Sequence, residues 1–262
     1  MKKVFVSGAS GNVGKVLVKA LLEKEDMELA GGYCREAGED LGTLAGTKPA
    51  GIAATDNLAE GLEAARPDMV IDFTSATVLM ENLKLYAELG LDAVIGTTGL
   101  GDEDAATAEK LVREKGLRFA MVPNFGLGIT LVMDFIAKAR QFYPYVSIVD
   151  RHPPTMANAP SGTAGMLARG AAEGPRGEVA SKETFPGVLG GTIAEQQVLS
   201  QRMPYPGPFS EHEIKLGRQD EVITVTVSDF TSAVYLDGIF LVAEKLGTSP
   251  KGTLIRTLDE VL

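Results

Sequence analysis

A doubly wound α/β domain followed by a smaller α+β domain is the fold class this 262-residue sequence predicts. Three observations carry it. Short apolar runs bounded by turn residues alternate with helically spaced segments through the first half. A glycine-rich turn follows the first of those runs. Beyond about residue 124, longer extended runs with few helices between them take over.

Val4-Phe5-Val6 is a short β-rich run. Ser7-Gly8 breaks it too early for a signal peptide, so it reads as a buried first strand. In residues 12–22, Val13, Val16, Leu17, Ala20 and Leu21 repeat at helical spacing. Residues 28–33 read as a weaker second strand, 69–73 as an apolar third, and 78–89 as a helix. Residues 93–96 and 119–122 are two further strands around a helix at 104–114. Nearly continuous apolar strands separated by amphipathic helices predict a parallel sheet covered on both faces. In the second half, a helix at 129–139 precedes strands at 145–150, 214–216 and 222–227, which suggest an open mixed sheet. Helices are expected at 161–171, entered through Pro160, at 237–246 and at 254–262. The predicted division is 1–124, 125–231, and 232–262 returning to the first domain.

Composition narrows the function classes. Hydrophobic residues at 45% and charged residues at 23% describe a well-packed globular chain. No apolar stretch approaches the roughly 20 residues that cross a bilayer. A net charge of −10 argues against nucleic acid as a partner. The single Cys34 excludes an internal disulfide framework and agrees with a cytoplasmic location. Two histidines and one cysteine, unclustered in sequence, predict no metal site. A small-molecule ligand is the remaining expectation.

Gly8-Ala9-Ser10-Gly11-Asn12-Val13-Gly14 joins the first strand to the first helix. In that setting the glycines permit a tight turn, close approach of backbone N–H groups to a pyrophosphate, and tight helix–sheet packing. Gly8, Ser10, Gly11, Asn12 and Val13 are therefore the expected phosphate residues of a Rossmann-like dinucleotide site. The ribose position at the end of the second strand, where NAD-binding chains carry an acid, is Cys34, followed by Arg35. Arginine suits a 2′-phosphate, so NADPH is the expected cofactor, with NADH as the alternative. Glu36 lies past the expected strand end. Phe73-Thr74, Gly96-Thr97-Thr98 and Pro123-Asn124-Phe125 close or follow apolar strands. At the carboxyl edge of an open sheet they would line the nicotinamide.

Together with Ala159-Pro160-Ser161-Gly162-Thr163-Ala164, these residues resemble the 4-hydroxy-tetrahydrodipicolinate (dihydrodipicolinate) reductase family along nearly the whole chain. The resemblance implies NAD(P)H-dependent reduction of a cyclic imine-type substrate in diaminopimelate and lysine biosynthesis, and a homotetramer. It also implies that Gly162 and Thr163 meet a substrate carboxylate at a helix start, where an anion is favoured.

The chain departs from the family before that hexapeptide. Aligned back from Ala159, the first family histidine falls on His152, the second on Pro153, and the proton-donating lysine on Met156. Met156 has no ionisable proton or charge. The family arginine ahead of the last long helix has no counterpart in Asp229-Phe230-Thr231-Ser232-Ala233. His152, or a water, is then the expected proton source, and Met156 packs against substrate. A less anionic imine, a keto or amino acid, or NADPH binding without turnover are the alternatives.

Overall fold

The computed structural model describes residues 1–97, 99, 101–204 and 207–262. It forms two compact units, Met1–Gly126 with Tyr235–Leu262, and Leu127–Val234. None of the described helices is long and apolar enough to cross a membrane.

The first unit runs β1 (Lys2–Ser7), α1 (Asn12–Glu23), β2 (Met27–Tyr33), α2 (Leu41–Leu44), α3 (Leu58–Ala65), β3 (Met69–Asp72), α4 (Ala76–Glu88), β4 (Asp92–Ile95), α5 (Asp102–Lys115) and β5 (Phe119–Met121). After the second unit it resumes with α8 (Leu236–Thr248) and β11 (Leu254–Ile255). Its sheet has the order β11-β5-β4-β3-β1-β2, every pair parallel. Helices cover both faces, so Val4, Phe5 and Val6 are buried on successive positions rather than alternately.

The strand order reverses between β1 and β3, and the turn after β1 is built there. Gly8 has φ +87°, and a Cβ on it would lie 2.4 Å from the Phe73 carbonyl oxygen beyond β3. A Cβ on Gly14, in the first turn of α1, would lie 2.1 Å from the Gly8 carbonyl oxygen. These two glycines let helix, turn and neighbouring strand close on one another. Leu17, Val18 and Leu21 then bury the inner face of α1.

The predicted final helix at 254–262 is not formed. Leu254 and Ile255 pair in parallel with Phe119 and Ala120 of β5, and a 3-10 turn follows at Leu258–Val261. A vacant sheet edge outweighs helical spacing in so short a segment.

The second unit runs α6 (Leu127–Ala139), β6 (Tyr145–His152), α7 (Gly162–Gly170), β7 (Gly191–Ile193), β8 (Gln196–Arg202), β9 (Ser210–Arg218) and β10 (Glu221–Asp229). Its sheet order is β10-β9-β6-β8-β7. Only β6 and β8 are parallel neighbours, so the sheet is mixed. Ile129, Val132 and Ile136 of α6 and Ala164, Leu167 and Ala168 of α7 pack with Ile148, Val198, Ile214 and Leu216 of the strands.

Gly14→Ala is expected to lower stability by about 1–3 kcal/mol, because the turn must open to admit a methyl group. Gly191→Ala, where a Cβ meets nothing within 4 Å, should stay within about 0.5 kcal/mol of the parent. Urea midpoints of the two variants check the contrast.

Candidate active site

The carboxyl edge of the first sheet gathers most of the predicted cofactor residues. Gly8 and Ala9 donate backbone N–H groups to the Tyr33 carbonyl at 2.9 and 3.0 Å, which fixes the turn between β1 and β2. Gly11 is the N-cap of α1 and supplies no capping side chain. The first-turn N–H groups, beginning at Asn12 and Val13, are then suited to a phosphate. Arg35 is exposed just past β2. The Ser10 hydroxyl bonds the Glu36 carboxylate and holds it below the usual carboxylate range. Sequence reading set Glu36 aside, because its approach to Ser10 depends on how the chain turns after β2. Burial pushes the Cys34 thiol up, partly offset by a hydrogen bond to the Glu36 backbone.

Asp72, at the end of β3, organises the next two loops. One carboxylate oxygen accepts from the Thr74 N–H at 2.9 Å, the Thr74 hydroxyl at 2.7 Å and the Thr97 hydroxyl at 3.0 Å. The other accepts from Asn82 at 3.0 Å and the Tyr86 hydroxyl at 2.7 Å. Burial and the Asp72 charge drive the Tyr86 pKa well above its ordinary value. A Cβ on Gly96 would fall 2.0 Å from the Phe73 ring, and that ring lies 5.7 Å from Phe125. Gly8, Phe73, Thr74, Gly96 and Phe125 therefore converge. Pro123 and Asn124 lead into Phe125, and the Asn124 side chain accepts the Gly126 N–H at 2.7 Å. Thr98 lies outside the described residues.

In the second unit the helix-covered sheet face carries Ile148, Val198, Ile214 and Leu216 and turns polar in its last two rows. Register sets Asp150 beside Ser200 and His212, then His152 beside Arg202 and Ser210 beside Asp229. Asp150 is fully buried. One oxygen accepts from His152 Nε2 at 2.8 Å and Ser161 Oγ at 2.7 Å, with His212 Nε2 at 3.2 Å. The other accepts from the Ser161 N–H at 3.0 Å and Ser200 Oγ at 3.1 Å. Burial raises its pKa, but hydrogen bonds from His152, His212 and Ser161 outweigh that and hold it well below the usual range.

This carboxylate positions α7. Ser161 donates its hydroxyl to Asp150 and caps the helix by accepting the Ala164 N–H at 3.1 Å. Gly162 then starts α7 exposed, with nothing within 4 Å of where a Cβ would stand, and Thr163 follows partly buried. That opening at a helix N-terminus is suited to a carboxylate.

His152 is buried, with Nδ1 3.1 Å from the Phe209 carbonyl and Nε2 on Asp150. Both contacts lie inside the protein, so the two ring nitrogens are taken up by the fold. Burial pushes the Asp229 carboxyl up, partly offset by His212 and His152. Asp150, His152 and His212 bring metal-ligating atoms within 4.8 Å of one another, a grouping that sequence separation concealed. Hydrogen bonds within the protein account for these atoms. Met156 is half-buried in a turn, its N–H on the Pro153 carbonyl at 3.0 Å. Its own carbonyl accepts from Arg202 Nε at 3.3 Å.

Asp150→Asn is expected to cost about 3 kcal/mol or more at pH 7, since it uncouples two histidines from their shared acceptor. A depressed carboxylate contributes stability above its unfolded pKa of about 4 and loses it as pH falls below that value. Wild-type stability should therefore decline below about pH 4, with a shallower decline in Asp150→Asn. Urea titrations across that range check both.

The family model described as dihydrodipicolinate reductase N-terminus matches residues 2–125, and that of the C-terminus matches residues 128–262. A 4-hydroxy-tetrahydrodipicolinate reductase from Moorella thermoacetica is 32% identical over 93% of this chain and 92% of its own. One from Listeria welshimeri is 31% identical over 99% of both chains. Among solved structures, a dipicolinate-bound dihydrodipicolinate reductase from Paenisporosarcina superposes with a TM-score of 0.82 at 26% identity, covering 100% of each chain. An amine dehydrogenase from Mycobacterium smegmatis shares the fold, with a TM-score of 0.71 at 16% identity over 100% of this chain and 96% of its own. With a parallel dinucleotide-binding sheet, a mixed-sheet second unit and family matches to both halves, this chain belongs to the dihydrodipicolinate reductase family.

Proposed function

We propose that this chain reduces 4-hydroxy-tetrahydrodipicolinate to tetrahydrodipicolinate with NADPH. The start of α7 carries the reading: Asp150 locks Ser161 as its cap and leaves Gly162 exposed toward an anion. The family sets the reaction class. Substrate and product differ by one oxygen at equal hydrogen count, so the balance is one hydride and one proton in, one water out. The cofactor supplies the hydride from C4 of its nicotinamide.

This chain's residues divide the remaining work. Gly8, Ser10, Gly11, Asn12 and Val13 hold the phosphates, and Arg35 meets the 2′-phosphate. Phe73, Thr74, Gly96, Pro123, Asn124 and Phe125 enclose the nicotinamide, and Thr98 belongs with them by sequence. Gly162 and Thr163 hold a substrate carboxylate, with Met156 against its carbon skeleton. Met156 has no proton to give, and both His152 nitrogens are committed inside the protein. Water is therefore the proton source. We also propose a homotetramer, which light scattering would report as four times 27.7 kDa.

The first experiment follows NADPH oxidation with 4-hydroxy-tetrahydrodipicolinate made in situ by its synthase. Turnover near the enzyme median of about 10 s⁻¹ is expected. A chain that binds NADPH but leaves this substrate untouched overturns the assignment. It points instead to a less anionic imine or keto acid, the reading that Met156 favours, or to NADPH binding without turnover.

Arg35→Ala should raise the KM for NADPH about tenfold and that for NADH less than about twofold, as expected for one exposed phosphate contact. Equal effects on both cofactors would remove Arg35 from the 2′-phosphate.

A further inference from the structure

The family's proton-donating lysine is Met156 here, yet the loop that carries Met156 is not without a cation. Arg202 ends β8, paired in register with His152. The strand alternation that brings Ser200 Oγ to Asp150 brings Arg202, two residues on, to the same sheet face. Its guanidinium reaches over the loop entering α7. Nε donates to the Met156 carbonyl at 3.3 Å, and Nη2 to the Asn158 carbonyl at 2.6 Å. Nη1 turns back to the Gln201 carbonyl at 3.0 Å.

All three partners are neutral. Elsewhere Arg118 meets Asp92 at 2.8 Å, Arg151 meets Glu211 at 3.1 Å and Arg218 meets Glu221 at 2.8 Å. Among the described residues, Arg202 has no carboxylate within ion-pair distance. A guanidinium carries five N–H donors, so two are left after the three carbonyls. Both Nη atoms still offer one, the arrangement a carboxylate takes end-on. The stem and Nε are partly buried against the loop, while the Nη side of the fork lies exposed and open to an anion.

We propose that Arg202 binds a substrate carboxylate and thereby takes over the charge of the lysine that Met156 displaces. Asn158, whose carbonyl Arg202 holds, precedes the α7 start by four residues. The helix N-terminus at Gly162 takes one carboxylate and Arg202 the other. This deepens the assignment above and rests on its dicarboxylate substrate. A protein built this way keeps affinity for a dianion without a proton donor at position 156, in keeping with water as the proton source.

The test uses Arg202→Met, Arg202→Lys and the double variant Met156→Lys/Arg202→Met. Each is read by KM and kcat for 4-hydroxy-tetrahydrodipicolinate, KM for NADPH, and affinity for pyridine-2,6-dicarboxylate by calorimetry. Arg202→Met should weaken pyridine-2,6-dicarboxylate binding and raise substrate KM at least about thirtyfold, the scale for losing a hydrogen-bonded charged partner. KM for NADPH should stay within about twofold. Arg202→Lys, which keeps the charge but loses the fork, should retain affinity within about fivefold. The double variant should recover at least about tenfold of what Arg202→Met loses.

Dicarboxylate affinity unchanged in Arg202→Met overturns the proposal. So does loss as deep in Arg202→Lys as in Arg202→Met, which would mark Arg202 as a clamp on the loop. Should Arg202→Met not fold, the Arg202→Lys affinity decides alone, and retention within about fivefold supports the charge role. Calorimetry needs no turnover. A wild-type chain that binds pyridine-2,6-dicarboxylate through Arg202 but does not oxidise NADPH keeps this inference and loses the substrate assignment.

Discussion

A carboxylate with no exposed surface holds the second unit's functional end together. An ionised acid taken out of water costs several kcal/mol if it is left alone. Asp150 is repaid by five donors drawn from four segments: β6 itself, β8, β9 and the start of α7. Charge-assisted hydrogen bonds contribute about 1.5–3 kcal/mol each, so the saturated cluster outweighs the desolvation. Each donor removed narrows that margin. The same contacts tie the helix cap, the orientation of His152 and the strand register to one carboxylate.

The first unit solves the same problem at Asp72, again at a strand end. Two threonines, an asparagine and a tyrosine converge on it. Here the donors come from the loops after β3 and β4 and from the inner face of α4, so the acid sets the shape of the sheet's carboxyl edge. Glycines do the complementary work. Gly8, Gly14 and Gly96 sit where a methyl group would strike backbone or the Phe73 ring. Polar saturation fixes the loops, and missing side chains let them approach.

What could be read in the residues follows the range of the interactions. β1, its turn and α1 are local, so apolar runs and glycine spacing reveal them. β7 and β8 escaped because Gln196-Gln197 and Ser200-Gln201-Arg202 interrupt any apolar run; pairing on both sides makes β8 a strand. Helical spacing runs through Leu254–Ile255, whereas its strand pairing among the described residues comes from β5, more than a hundred residues earlier. His152 and Gly162 were legible from motif spacing. His212 and Arg202 reach the same end of the sheet by pairing in register with Asp150 and His152, both far away in sequence, and no local pattern announces that. Glu36 was visible as the next acid after β2, but its bond to Ser10 was not.

The edge strand β11 also constrains when the first unit can form. Residues 1–126 contain the dinucleotide motif and five of the six strands, yet α8 and β11 arrive only after the second unit. At roughly 5–20 residues per second of synthesis, the early strands emerge several seconds before the segment that completes their sheet. For that interval β5 presents an open edge of unpaired N–H and C=O groups. The second unit, continuous from Leu127 to Val234, can close first. The first unit thus cannot complete its sheet until the chain has been made past the second unit, although its glycine-rich signature is translated first.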